Sequence, residues 1–226
     1  MRTFHTFAFA AIVLAAAGTV AAQEKPDGLL NTLEVRQLVA RAEPADHARL
    51  SAHFSALGAR YTAEARKHQS MAQSFGGNPS RNLGTGMSVH CKRLAELNTE
   101  SATTVRELAA YHEKLAAGAP ATPPRDGARF HGGAGAPEPT QKELDALAAK
   151  AGTPAEHRAL EEYFLTLAKR YAADADEHVT LAQTFRGTKI AQASAIHDHL
   201  ARLARDSAKE ATAAAEMHKQ LANIAR

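Results

Sequence analysis

Residues 45–75, ADHARLSAHFSALGARYTAEARKHQSMAQSF, return as residues 155–185, AEHRALEEYFLTLAKRYAADADEHVTLAQTF, with 13 of 31 positions identical. The identities include His47/His157, Leu50/Leu160, Phe54/Phe164, Leu57/Leu167, Tyr61/Tyr171, His68/His178, Ala72/Ala182 and Phe75/Phe185. They follow one another in steps of three, four or seven, which is the seam of a long amphipathic helix. Histidine shares that seam with leucine and the aromatics, at the same two places in both copies. The chain therefore reads as a duplicated helical protein.

The N-terminus stands apart. Arg2, the apolar run 7–17 and the small residues before Gln23 read as a secretory signal over residues 1–22, cleaved after Ala22, with the periplasm as the simplest destination. The run is too short to span ~30 Å of hydrocarbon, so no stable membrane insertion is expected. The signal carries one basic residue and no acidic one, so removing it takes the formal charge from +3 to +2. Basic and acidic residues alternate along the helices, which argues against nucleic acid as a partner. With Cys91 as its sole cysteine the chain can form no internal disulfide. Abundant Ala, no Trp and few β-branched residues favour helices over sheets.

The organisation follows from the punctuation. A lead-in gives way to a short helix over residues 29–42, and Glu43-Pro44 opens a long helix over 44–75; Pro suits a first helical turn, where its missing N–H would have no partner. Thr153-Pro154-Ala155-Glu156 is the same start with a capping box, opening a helix over 154–185. Residues 76–86, GGNPSRNLGTG, read as a loop, and Arg186-Gly187-Thr188 as its shorter copy. Second long helices are expected over 87–117 and 191–225. Residues 118–139 read as a flexible Gly/Ala/Pro linker, after which Thr140-x-x-Glu143 restarts helix. Repeat 1 is thus 23–117 and repeat 2 is 140–226. The fold class is all-α: two sequence-related hairpins, each preceded by a short helix, packed as an antiparallel four-helix bundle. The linker is long enough for the alternative, a homodimer that exchanges hairpins.

Eight histidines form pairs of nearly constant spacing. His47 and His68, His157 and His178, and His197 and His218 are 21 apart, while His90 and His112 are 22 apart. Three heptads of a coiled-coil seam keep both members on one face, about 31 Å apart at ~1.5 Å per residue. Antiparallel pairing then sets His68 opposite His90, His47 opposite His112, His178 opposite His197 and His157 opposite His218. If the hairpins pack face to face, His68, His90, His178 and His197 form a loop-end cluster, and His47, His112, His157 and His218 a terminal-end cluster. Met71, Met87 and Cys91 would join the loop end, giving thioether, thiolate and imidazole, a set suited to Cu(I). In the second repeat these become Leu181, Ser194 and Asp198, with His199 added. Glu64 and Asp174, each one turn before a histidine, are candidates to bind metal or to hold a ring.

The plainer alternative is that these histidines are polar packing in a structural or interaction bundle with no cofactor, or a pH-responsive seam. Macrodipole attraction at helix C-termini covers His68, His112, His178 and His218 but not their partners near N-termini. Tyr61, Tyr171, Phe54, Phe164, Phe75 and Phe185 read as core, and His53 and His131, without counterparts, as solvated. No phosphate loop, no di-iron Glu-x-x-His pairing and no Cys-x-x-Cys-His haem attachment is present. The expectation is a non-enzymatic, exported protein that binds a transition metal, copper first and zinc second, for storage, buffering or delivery. A haem or iron electron carrier or oxidase is the third reading.

Overall fold

A computed structural model of the protein describes residues 29–78, 81–117 and 139–224. Among the described residues the chain is all-helical: α1 Thr32–Arg41, α2 Pro44–Gly76, α3 Arg81–Leu115, α4 Gln141–Lys150, α5 Pro154–Phe185 and α6 Gln192–Ile224. Residues 1–22, read as a signal, most of residues 118–139, read as a linker, and His131 lie outside the described residues. No helix among those described is long and apolar enough to cross a membrane.

The helix starts follow their local chemistry. At α5 the Thr153 hydroxyl accepts from the Glu156 N–H, and the Glu156 carboxylate accepts in return from the Thr153 N–H at 2.9 Å. Thr140 and Glu143 do the same at α4. Asn31 and Glu34 cap α1 with a further box of the form Asn-x-x-Glu. Arg41, in the last turn of α1, grips the Asp46 carboxylate at 2.6 and 3.1 Å, and so fixes the entry into α2.

One boundary differs from expectation. The loop over 76–86 is shorter than its glycines suggest, because α3 begins at Arg81 and takes Gly84 and Gly86 into the helix. Each glycine costs a helix about 1 kcal/mol relative to alanine. At Gly86 a Cβ would lie 2.6 and 2.9 Å from the Cε and Sδ of Met217 on α6, the flexible end of a side chain that lies close over the helix there.

The two hairpins, α2 with α3 and α5 with α6, hold the most extensive contacts, and α3 lies directly on α6. His90 meets Glu210 and Glu100 meets His199, so α3 and α6 run in opposite directions. The helices α2 and α5 also oppose one another. They meet through long side chains, with Arg60 on Asp174 at 2.6 Å and Arg170 on Glu64 at 3.0 Å, the same repeat positions used twice. Helices α1 and α4 each pack on both α2 and α5. Two apolar cores result. One gathers Met71, Phe75, Met87, Cys91 and Leu94 with Leu144, Leu160, Phe164 and Ala214; the other gathers Val35, Leu50, Phe54, Val105 and Leu108 with Leu181, Phe185 and Leu200.

Candidate metal centre

Three of the four expected histidine pairs are formed across their hairpins. Nδ1 of His47 lies 3.1 Å from Nδ1 of His112, His157 lies 3.2 Å from His218, and His178 lies 3.3 Å from His197, again through Nδ1 atoms. All six rings are buried. Phe54 and Phe185 pack on His112 and His197, while Phe164 and Phe75 pack on His218.

That wall of aromatic and aliphatic groups keeps the imidazoles neutral. Burial, then His47 and His53, pushes His112 down to about 4; burial, then Arg60 and His53, pushes His178 down to about 3. His218 falls to about 3 through burial and the nearby His157 and His90. His197 is also pushed well below the ordinary value, by burial first and then by His178, His53 and His112. A neutral imidazole carries one N–H and one bare lone pair, and the lone pair is what a metal uses.

The larger grouping differs from the expected one. Because the hairpins oppose each other, the loop end of one lies at the terminal end of the other. His178 and His197 share their core with His47 and His112, while His68 lies with His157 and His218. The proposed sets of His68, His90, His178 and His197 and of His47, His112, His157 and His218 are therefore both divided. Helical periodicity defines which face is apolar, and burying two such faces takes the same area in either direction.

The fourth pair is altered as well. His90 does not face His68: its Nδ1 lies 2.5 Å from Glu210 on α6, at the partly exposed edge of α3. Each of the other paired helices spaces its two histidines by 21 residues, and the same count back from His112 lands on Cys91. Burial follows that register, with Leu94, Ser101 and His112 of α3 matching Leu200, Ser207 and His218 of α6. Cys91 thus corresponds to His197, and Met87 to Ala193, in place of Asp198 and Ser194.

Glu64 and Asp174 are committed elsewhere. Asp174 holds Arg60, and Glu64 holds Arg170 and Lys67 while its Oε2 stays 4.0 Å from His68 Nε2. The groups that orient the rings are tyrosines: Tyr61 Oη lies 3.1 Å from His178 Nε2, and Tyr171 Oη 3.4 Å from His68 Nε2. Both tyrosines were read as core, and they are buried, but each also reaches into the opposite hairpin. Their seven-residue spacing to the histidine of their own repeat was the available signal. His53, read as solvated, is buried, and its Nδ1 accepts from the Leu30 N–H at 2.9 Å.

Comparison with protein-family models, curated proteins and solved structures finds no match to this chain.

The chemistry open to the site follows from its own atoms. Two imidazole nitrogens bound to one tetrahedral ion, each at ~2.0–2.1 Å, stand about 3.3–3.4 Å apart. The three observed separations approach that edge length. They also suit an N–H···N hydrogen bond between two neutral rings of opposite tautomer. His112, His197 and His218 each bury an Nε2 with no hydrogen-bond partner, and among the described residues no three His, Cys, Asp or Glu side chains converge on a point.

Proposed function

We propose that the protein is an exported metal carrier in which the four long helices close into one antiparallel bundle around paired histidines, for storage, buffering or delivery. Copper is the first candidate and zinc the second. One observation carries this reading: three separate inter-helical Nδ1···Nδ1 approaches of 3.1–3.3 Å between buried, neutral rings. Copper ranks first because Cu(I) accepts fewer ligands than the four a structural Zn2+ asks for; two imidazoles in line on one ion, each at ~2.0 Å, stand about 4 Å apart, so a pair opens slightly to seat it. The periplasm is proposed from residues 1–22 alone. Burial pushes the Cys91 thiol well above its ordinary value, which disfavours a free thiolate nucleophile, whereas a bound metal ion displaces the thiol proton itself; the protein is read as a binder and not as an enzyme.

The second reading is a cofactor-free bundle whose imidazole pairs are hydrogen-bonded polar layers. It is favoured by the aromatic rings stacked on His112, His197 and His218, and by the lack of a third His, Cys, Asp or Glu ligand among the described residues. Replacing His112, His197 and His218 one at a time with Leu separates the two. A metal carrier loses bound copper stepwise with each change; a structural bundle has no stoichiometry to lose.

A further inference from the structure

The two ends of the molecule are not chemically equivalent, although they are built from the same repeat. At one end His178 faces His197, with Leu181 one turn away and Ala193 one turn before its partner. At the other, the corresponding positions hold His68, Cys91, Met71 and Met87. The chain contains four methionines and one cysteine. Every one of those sulfurs other than that of Met1 belongs to a single core: Met71, Met87 and Cys91 are buried there, and Met217 packs against them.

An independent feature points into this cluster. His68 is fully buried and its Nδ1 has no hydrogen-bond partner. Its Nε2 lies by Tyr171 just as His178 Nε2 lies by Tyr61, and in His178 that orientation delivers Nδ1 to residue 197 of the facing helix. Applied to His68, the same orientation aims the unpartnered Nδ1 at the level of Cys91. Three sulfurs of one buried core, walled by Phe75, Leu94 and Phe164, with the unpartnered His68 nitrogen directed to their level, would together supply a soft donor set. Hard dications prefer oxygen; thiolate also holds zinc, but thioether sulfur, two of the three sulfurs here, favours monovalent copper.

We propose that His68, Cys91, Met71 and Met87 form a Cu(I) site distinct in chemistry from the imidazole pairs. Binding takes up Cu+ as the monovalent ion and releases the Cys91 thiol proton to solvent; one Cu–S bond forms as the S–H bond breaks, and no electron is exchanged. The proposal deepens the copper reading but can fail separately from it, because its ligands are sulfur where the pairs offer nitrogen alone.

The test is an anaerobic Cu(I) titration of the full protein against a colorimetric Cu(I) chelator, with X-ray absorption on the product. The expected result is one tight equivalent with a sulfur shell at about 2.3 Å, typical of thiolate–metal bonds, and an ultraviolet thiolate-to-copper band. Cys91→Ser should remove that band and weaken that equivalent by at least about tenfold, leaving any nitrogen-bound copper in place. Met71→Leu, which copies the residue of the other repeat, should weaken it while the band persists. A Cys91→Ser protein, folded by circular dichroism, that keeps the tight equivalent overturns the site. Copper bound through nitrogen alone in the unaltered protein overturns it too, while sparing the imidazole pairs.

Discussion

Tyr61 on α2 holds Nε2 of His178 on α5 at 3.1 Å, so the orientation of a ring in the second repeat is set by a hydroxyl in the first. Tyr171 stands toward His68 in the reciprocal way at 3.4 Å. Arg60 and Arg170 flank these tyrosines and cross to Asp174 and Glu64. The contact between α2 and α5 is therefore a polar layer, and the histidines are positioned by it.

Tyr61→Phe deletes one hydroxyl and leaves His178 Nε2 buried without its partner. The expected cost is about 1–3 kcal/mol, seen as a fall of about 2–4 °C in Tm per kcal/mol for a chain of this size. Thermal unfolding followed by circular dichroism reads it. An unchanged Tm would mean that the hydroxyl does not bear on the fold.

Acid should unfold the metal-free protein well before its buried histidines titrate in place. His68 and His112 sit at about 4, and His178 and His218 at about 3, each held down chiefly by burial. An unfolded histidine takes its proton near ~6.5. Their folded values are depressed, so below ~6.5 the unfolded chain binds more protons than the folded one. Stability is then full above that pH and is lost as pH falls toward 4, by about 1.4 kcal/mol per pH unit for each such histidine. Several acting together exceed a typical stability of ~5–15 kcal/mol within a few units. Urea denaturation at pH 7.5, 6 and 5 should give steeply falling midpoints, and a flat series would contradict the neutral, buried pairs.

Much of this was legible beforehand. The capping boxes at Thr140 and Thr153 and the 21-residue histidine spacing gave the helices and three facing pairs, because cap chemistry and helical phase are local. The 22-residue gap from His90 to His112 was the visible sign that His90 had left the seam to Cys91. The relative direction of the hairpins was not legible, since Leu50, Phe54, Leu160 and Phe164 bury equally well against either end. Nor was the early start of α3, where Gly86 lies against Met217, more than a hundred residues later.

Two glycines should respond in opposite directions to alanine. Gly58 lies inside α2, and its repeat counterpart is Ala168; a Cβ there would meet Arg106 Cγ at 3.5 Å and the Ala102 carbonyl at 3.6 Å, which is ordinary contact. Gly58→Ala should therefore stabilise by about 0.5–1 kcal/mol. Gly187 has φ +76°, a left-handed conformation that turns the chain toward α6. Gly187→Ala should destabilise by about 1–2 kcal/mol although its surroundings are open. Chemical denaturation of both variants checks the signs.

The most direct test of the central claim is to express the full chain, purify the protein without chelator or affinity-tag histidines, and measure its metal content before and after dialysis against copper or zinc. A carrier built on paired imidazoles yields about one or more equivalents of copper per chain, with zinc taken up less tightly. A folded protein that arrives without metal, and refuses both ions, would contradict metal binding and leave the histidine pairs as hydrogen-bonded layers of a structural bundle.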